Sequence, residues 1–172
     1  SGTHGPGTCD CRWIVDPLDG TRDFFRGDVT WGPLVALEHQ GQLVAAAMSL
    51  PVTGETWWAR KGPGCFRDGE RVRVSGVTQW RDARLVVGFL RGLLAEPYGA
   101  AVMDLLQSAA QVRCLGSLPG CARVLDGTAD AWLEAGVHVW DLAAPRLLLE
   151  EAGGRFTDFL GRPSHAMGMA VG

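Results

Sequence analysis

The chain has no excess of positive charge and no long apolar run. Its 16 Lys and Arg residues stand against 19 Asp and Glu residues, giving a formal net charge of −3. Without a basic stripe, binding to nucleic acid is not expected. No stretch approaches the roughly 20 apolar residues of a membrane-spanning helix, and no signal peptide is visible. We therefore expect neither nucleic acid nor a membrane as partner.

The five cysteines lack the dense, regular spacing of a disulfide framework. Their odd number is typical of reduced thiols in a cytoplasmic protein. The Cys9-Asp10-Cys11 stretch, with His4 nearby, is a candidate metal clip. Because no second Cys or His pair follows at zinc-finger spacing, we favour free thiols.

The composition is that of an ordinary globular protein, with 47% hydrophobic and 20% charged residues in 172 positions. That length is sufficient for one compact domain. Neither an internal repeat nor a low-complexity linker divides it. We expect a first sheet within residues 1–82 and a second α/β part over residues 83–172.

The first half of the chain predicts an antiparallel meander. After a loop over residues 1–12, short apolar runs alternate with turns that contain Gly or Pro. The predicted strands cover residues 13–15, 33–39, 42–50, 55–60, 65–66 and 72–74.

The second half alternates strands with helices, which indicates a mixed α/β layer. Apolar residues at three- and four-residue steps mark the helices. The predicted strands cover residues 83–89, 112–115, 129–134, 155–157 and 167–171, and the predicted helices cover residues 100–111, 116–126 and 141–152. The fold class is therefore α/β, with an antiparallel meander sheet and a second, mixed sheet with helices.

The most informative stretch is WIVDPLDGTRDFF, residues 13–25. A buried strand runs into Asp16, and Pro17 ends it because proline has no N–H and a fixed φ. Asp19 follows in the same tight loop. Two carboxylates this close repel each other unless a hard cation lies between them. Mg²⁺ prefers such oxygen ligands, so the loop is a candidate cation site.

Gly20 and Thr21 follow at once and lead into a predicted helix. Backbone N–H groups at a helix start suit an anion. A cation site beside an anion site indicates phosphate chemistry. Taken alone, the stretch is more typical of an acidic surface turn, since Asp and Gly are common turn residues.

A second acidic site lies far downstream in WDLAAPRLLLEEAGG, residues 140–154. Asp141 stands at the start of a predicted helix, and a role as its N-cap would by itself explain the residue. A helix N-terminus also favours the ionised carboxylate, which is the form that a cation requires.

With both stretches considered, the chain resembles the inositol monophosphatase family of Mg²⁺-dependent phosphatases. DPLDGT, residues 16–21, is similar to the first signature of the family, and residues 140–154 are similar to the second. The resemblance extends from about Trp13 to the end of the chain. It implies a single phosphatase-like domain over residues 1–172, folded as a layered α/β sandwich with its active site between two sheets.

The resemblance also implies the metal ligands. Asp16, Asp19 and Asp141 would supply carboxylates, and Leu18 would supply its backbone carbonyl. The implied cofactor is Mg²⁺, and the implied reaction is hydrolysis of a small phosphate monoester by metal-activated water.

Further roles follow from the same motifs. Asp19 and Thr21 would serve catalysis, with the Thr21 hydroxyl positioning the water. Asp19, Gly20 and Thr21 would contact the substrate, the latter two through N–H groups that hold its phosphate. Ser117 matches a helix-start residue near the substrate, and Glu134 matches a glutamate that contacts a substrate hydroxyl. A solvated charge at a strand end is the alternative interpretation of Glu134.

The substrate class stays open between inositol-1-phosphate and histidinol phosphate. Gly-Phe-Leu-Arg, residues 88–91, lacks the polar residues expected beside an inositol ring. Residues 57–60, 140–144 and 150–158 are at least as similar to the histidinol-phosphatase members of the family.

The chain also departs from the family pattern. Members begin with two helices and a Glu-Glu pair, and none of these precedes Trp13. We interpret the chain as a piece of a longer enzyme that lacks the N-terminal part. Two alternatives remain open: a truncated, non-catalytic homologue that binds phosphate, another ligand or a partner, and a phosphatase of the same superfamily acting on a nucleotide or sugar bisphosphate. Homodimers are common in the family, so a homodimer is a further expectation.

Overall fold

The computed structural model of the chain describes residues 10–95, 97–165 and 168–171. Cys9 and His4 of the candidate metal clip lie outside these residues, as does most of the loop predicted over residues 1–12. Where that loop is described, Cys11 and Arg12 already belong to the first strand, so this boundary was predicted too late.

The first sheet has six strands that follow one another in chain order, each antiparallel to the next. They are β1 (Cys11–Asp19), β2 (Gly32–His39), β3 (Gln42–Leu50), β4 (Glu55–Arg60), β5 (Gly64–Arg67) and β6 (Glu70–Val72). The β2–β3 hairpin turns at Gln40 and Gly41, whose φ angles of 51° and 75° are positive. Such turns match the twist of the flanking strands. The predicted meander is confirmed.

The second sheet is mixed, as predicted. β7 (Arg84–Val87) lies between β8 (Gln111–Cys114) and β9 (Ala131–Val137) and is parallel to both, while β10 (Gly168–Val171) pairs antiparallel with β9. The helices are α1 (Thr21–Phe25), α2 (Leu90–Leu93), α3 (Gly99–Ser108), α4 (Ser117–Leu125) and α5 (Val139–Glu151). From β7 the chain proceeds to β8 on one side and then returns to β9 on the other. The order of connections therefore reverses at β7.

Two apolar clusters cover the two faces of the second sheet. The larger cluster joins the inner face of the first sheet to α4 and α5 and includes the buried rings of Trp57 and Trp132. The smaller cluster packs Leu133 and its neighbours against Leu93 of α2 and Val102 of α3. Since α5 contacts β1 to β5 while α4 contacts β7 and β9, these two helices lie between the sheets. The layered α/β sandwich is thus confirmed.

The end of β1 differs from the prediction. Asp16 pairs with Leu34, the register then shifts, and Asp19 pairs with Gly32. The strand therefore does not stop at Asp16. An irregularity of this kind accommodates Pro17, which has no N–H to donate to the ladder.

Three further predictions need correction. Within residues 13–15 only Ile14 is buried, because Trp13 and Val15 lie on the other face of β1 and are 65% and 44% exposed. The stretch 155–157 is not a strand, since it contributes one bridge residue, Thr157. Residues 73 and 74 lie beyond the end of β6.

Among the described residues, Cys65, Cys114 and Cys121 are free thiols, in agreement with the sequence prediction. Among the described helices, none combines the length and apolar character needed to cross a membrane.

Candidate metal and phosphate site

The end of β1 holds two of the predicted carboxylates in a hydrogen-bonded turn. Oδ1 of Asp16 accepts a hydrogen bond from the N–H of Leu18 at 3.0 Å. The carbonyl of Leu18 in turn accepts one from the Thr21 hydroxyl at 2.8 Å. A carbonyl has two lone pairs, so the Leu18 oxygen retains capacity for a second partner. The turn fixes Asp16 and Leu18 relative to the start of α1.

Gly20 makes the transition from β1 to α1 sterically feasible. Its φ of 75° and ψ of 30° are left-handed. A Cβ at this position would lie 2.6 Å from the carbonyl oxygen of Thr30, so a larger residue would have to displace backbone. α1 then begins at Thr21. The N–H groups of Asp23 and Phe24 donate to the Gly20 carbonyl, both at 2.9 Å, so the N–H groups left without an intrahelical acceptor are those of the first two helical residues.

Asp141 reaches the site from the first turn of α5. The helix begins at Val139, with His138 as N-cap, so the predicted N-cap role of Asp141 is wrong. Asp141 occupies the third helical position, and its Oδ2 accepts the N–H of His138 at 2.7 Å as one half of a capping box. The helix therefore begins two residues upstream of its predicted start at Asp141. The capping box also orients the carboxylate.

The structure brings Asp16, Asp19 and Asp141 together. One ligand oxygen from each lies within 4.8 Å of the other two, and all three residues are half-buried. Asp16 and Asp141 are close enough for a hydrogen bond between their side chains. Two oxygens bound to one Mg²⁺ at ~2.1 Å are at most ~4.2 Å apart, so this pair can share a cation. The three carboxylates form what we call the acidic cluster.

The charge of the acidic cluster is unfavourable without a cation. Partial burial raises the pKa of Asp141, the N–H of His138 lowers it, and the adjacent Asp16 carboxyl raises it again. A cation among the three groups would favour the ionised forms of all of them.

Glu134 borders the acidic cluster but is not a solvated strand-end charge, so that interpretation is wrong. It lies inside β9, which continues to Val137, and it is only 3% exposed. Its Oε2 accepts the indole N–H of Trp132 at 3.3 Å. Burial raises the pKa of Glu134 to about 8, against the lowering effect of the Trp132 bond, and the negative charges of Asp19 and Asp141 add to the rise.

Gly88 is a residue of this site that sequence reasoning did not single out. It follows β7, and a Cβ built on it would overlap the carboxyl group of Glu134. The Glu134 carboxyl can occupy this space because Gly88 has no side chain. The prediction placed Gly88 inside a strand over residues 83–89, which is too long because β7 ends at Val87. A glycine within a predicted strand can mark close approach of another group to the backbone, and this was the available sequence signal.

Ser117 is the first residue of α4, and Gly116 is its N-cap. A Cβ on Gly116 would lie 3.3 Å from the Asp23 carboxylate, which places the start of α4 beside α1. Thr30 donates its hydroxyl to the same Asp23 carboxylate at 3.3 Å. The N-terminus of α1, which carries the predicted phosphate-binding residues, therefore lies beside the N-terminus of α4, which begins with the predicted substrate residue Ser117.

Phe89 adopts a strained backbone at the same edge of the second sheet. Its φ of 41° and ψ of 53° are left-handed, although the residue is bulky. Such a conformation costs about 1–2 kcal/mol, and strain of this type concentrates at functional sites. Nothing in the local sequence predicts a positive φ for a phenylalanine.

These residues surround the carboxyl ends of the parallel strands. Gly88 follows β7, Gly116 follows β8, and Asp141 follows β9. In open α/β sheets, ligands bind outside the carboxyl ends of the strands, where the order of connections reverses. The fold and the site thus define an α/β protein with three clustered carboxylates beside two helix N-termini at this edge.

The chain belongs to the inositol monophosphatase family. The sequence model described as the inositol monophosphatase family matches residues 2–171. The match spans both signature stretches and confirms the resemblance drawn from them.

The relatives that are similar to this chain include both histidinol-phosphatases and inositol-1-monophosphatases. A histidinol-phosphatase of Mycobacterium tuberculosis is 36% identical over 165 residues, which cover 93% of this chain and 64% of the relative. An inositol-1-monophosphatase of Mesorhizobium japonicum is 38% identical over 154 residues, which cover 87% of this chain and 58% of the relative. The chain therefore spans roughly three fifths of the length of these relatives.

Solved structures agree with the fold. The inositol monophosphatase from Anabaena (Nostoc) sp. PCC 7120 superimposes with a TM-score of 0.85 at 28% identity, covering 94% of this chain and 69% of the other.

Proposed function

We propose that the chain carries the active site of a Mg²⁺-dependent phosphatase that hydrolyses a small phosphate monoester of the inositol-1-phosphate or histidinol phosphate class. The observation that carries this proposal is the acidic cluster, whose oxygens from β1 and α5 lie within 4.8 Å of one another. Membership of the family and similarity to a histidinol-phosphatase and an inositol-1-monophosphatase support the same reaction.

The donor set of the acidic cluster suits Mg²⁺. It consists of oxygen atoms alone, and Mg²⁺ favours carboxylates supplemented by water and substrate phosphate. Asp16, Asp19 and Asp141 would hold the ion, with the carbonyl of Leu18 as a further ligand. When bound, the ion lowers the pKa of a water molecule and offsets the negative charge that develops on phosphate oxygens.

The residues around the acidic cluster orient the reactants. Thr21 is anchored by its hydrogen bond to Leu18, which leaves its hydroxyl oxygen able to accept a hydrogen bond from a water molecule. The N–H groups of Gly20 and Thr21, at the start of α1, bind phosphate oxygens, and Ser117 at the start of α4 lies on the substrate side. Asp19 serves both the ion and the reacting water.

Glu134 contacts the leaving alcohol of the substrate in this proposal. With its pKa raised to about 8 by burial, its carboxyl group is largely protonated at neutral pH. A protonated carboxyl both donates and accepts, so Glu134 can hold a hydroxyl or an N–H of the substrate.

The remaining expectations accompany this proposal. We propose that residues 1–172 form one phosphatase-like domain that works in the cytoplasm, where its free thiols stay reduced. A homodimer is the proposed assembly, on the basis of family resemblance alone.

Phosphate release from inositol-1-phosphate and histidinol phosphate, with and without Mg²⁺, tests the reaction. Asp19→Asn should lower Mg²⁺-dependent kcat by about 100-fold or more, because several kcal/mol of charge stabilisation depend on the ion. Asp104→Asn, on the exposed face of α3, is the matched control and should retain full activity.

Two results would reject the proposal. Binding of inorganic phosphate without turnover of any monoester would favour the non-catalytic homologue. Turnover of a nucleotide or sugar bisphosphate with none of the monoesters would favour the bisphosphate phosphatase.

A further inference from the structure

The Phe89 ring lies on a seat made from two glycines. A Cβ on Gly92 would come within 2.6 Å of Cε1 of the ring, and a Cβ on Gly136 within 3.0 Å of the same atom. Any side chain at either position would move the ring. The contact therefore depends on bare backbone beneath one side of Phe89.

The rest of the ring is open. Phe89 is 51% exposed although it touches both glycines, so the part of the ring away from them faces solvent. An apolar residue that merely covers backbone needs neither a left-handed conformation nor two glycines beneath it. Here the carbonyl of Phe89 accepts the N–H groups of Gly92 and Leu93 at 2.8 and 3.2 Å, which holds the strained turn in place.

The seat adjoins the proposed substrate site. Gly136 lies two residues after Glu134 on β9, and Gly88, which contacts the Glu134 carboxyl, directly precedes Phe89. The electrostatic effect of Asp19 and Asp141 on Glu134 connects this group to the acidic cluster. Phe89 and Glu134 thus lie near the carboxyl ends of the paired strands β7 and β9, the edge of the sheet where the order of connections reverses and ligands of α/β sheets bind.

The surface formed by Phe89 and Glu134 favours some leaving alcohols of the phosphate ester over others. A benzyl ring offers no hydrogen bond to the hydroxyl groups of a polyol, whereas it stacks favourably on another flat aromatic ring. Glu134 is the polar group beside it and can pair with a ring N–H. The combination fits an imidazole-like heterocycle better than a polyhydroxylated ring.

Building on the proposed phosphatase function, we propose that Phe89 is a specificity-determining residue that stacks against a flat, nitrogen-containing aromatic ring in the leaving alcohol of the phosphate monoester. The preferred substrate is then the monoester of an imidazole-bearing amino alcohol. Polyol phosphates bind at the same acidic cluster without this contact.

Steady-state kinetics of the full chain with three substrates test the proposal: histidinol phosphate, inositol-1-phosphate and glycerol-2-phosphate. Phe89→Leu keeps an apolar side chain and removes the ring. It should raise KM for histidinol phosphate about three- to tenfold and leave kcat nearly unchanged, the range expected for one aromatic stacking contact. KM for the other two substrates should stay within twofold. Trp58→Leu, which removes an exposed ring stacked on Phe66 in the first sheet, should alter none of these values.

A binding measurement separates failure of this proposal from failure of the phosphatase function. Calorimetric titration of histidinol phosphate and inositol-1-phosphate, in Mg²⁺, requires no turnover. Weaker binding of histidinol phosphate alone in Phe89→Leu supports the stacking role even if no ester is hydrolysed. Equal losses for both esters, no change for either, or no binding of histidinol phosphate to the unaltered chain would overturn it.

Discussion

The carboxyl group of Glu134 occupies the place where a side chain on Gly88 would begin. The two residues come from neighbouring parallel strands, and their contact locates a buried carboxyl beside the acidic cluster. Gly88 has no positive φ, so its role is spatial and not conformational.

Replacing Gly88 with Ala should destabilise the chain. The added methyl group would force the Glu134 carboxyl or the backbone to move, and overpacking of this kind costs about 1–3 kcal/mol. Urea unfolding of Gly88→Ala measures the loss. Gly76→Ala is the matched control, because nothing lies within 4 Å of a Cβ at Gly76. Equal stabilities of the two variants would contradict the contact.

The stability of the chain should depend on the protonation of Glu134. Burial raises the pKa of Glu134 from 4.5 to about 8 in the folded chain. The folded state thus keeps a proton that the unfolded state loses, so this contribution is fully present below pH 4.5 and is lost as pH rises to about 8. Glu134→Gln stays neutral and lacks the effect. Its free energy of unfolding should gain a few kcal/mol relative to the unaltered chain across this window.

Denaturant unfolding at several pH values, without divalent cations, checks that expectation. The difference between the two proteins should be flat below pH 4.5 and above pH 8. If the free energies of unfolding of the two proteins changed in parallel between pH 4.5 and pH 8, Glu134 would not be buried as described.

Mg²⁺ should stabilise the folded chain against heat through the acidic cluster. A ligand that binds only the folded state at ten times its Kd adds about 1.4 kcal/mol, which corresponds to a few degrees in Tm for a chain of this size. Asp19→Asn should lose most of this shift. Asp104→Asn, an exposed acid on α3, should retain it. A full shift in Asp19→Asn would place the ion elsewhere.

Asp141 should have separable structural and electrostatic roles. Asp141→Ala and Asp141→Asn both remove a negative charge from the acidic cluster, but only Ala removes the acceptor for the N–H of His138. In the absence of Mg²⁺ the Ala variant should therefore be less stable than the Asn variant by about 1 kcal/mol. Both variants should lose the Mg²⁺-dependent rise in Tm. If Asn and Ala were equally destabilising, the hydrogen bond to His138 would not contribute to helix α5.

Much of the fold could be predicted because its signals are local. Alternating apolar runs and Gly-containing turns indicate β2 to β4 and the hairpin at Gln40 and Gly41. Asp16 and Asp19 could be predicted to lie close together because proline and glycine restrict the chain before the helix. The structure places them in the irregular end of β1 and not in a loop.

The remaining features depend on contacts between distant segments. The burial of Glu134 results from its place between Trp132 and Gly88, which the position of a glutamate along a strand does not reveal. The shift of register in β1 depends on how β2 pairs with it. The true N-cap of α5, His138, was missed because histidine is not among the favoured cap residues, although it here forms a capping box with Asp141.

The acidic cluster draws its members from opposite ends of the chain, with Asp16 and Asp19 near the beginning and Asp141 near the end. It forms only after α5 has packed against β1, a contact between segments that are far apart in sequence. We expect such contacts to form late in folding because closing a long loop is entropically costly. A cation bound to the acidic cluster should therefore leave the refolding rate unchanged and slow the unfolding rate, so that Mg²⁺ lengthens the lifetime of the native state without guiding the chain to it.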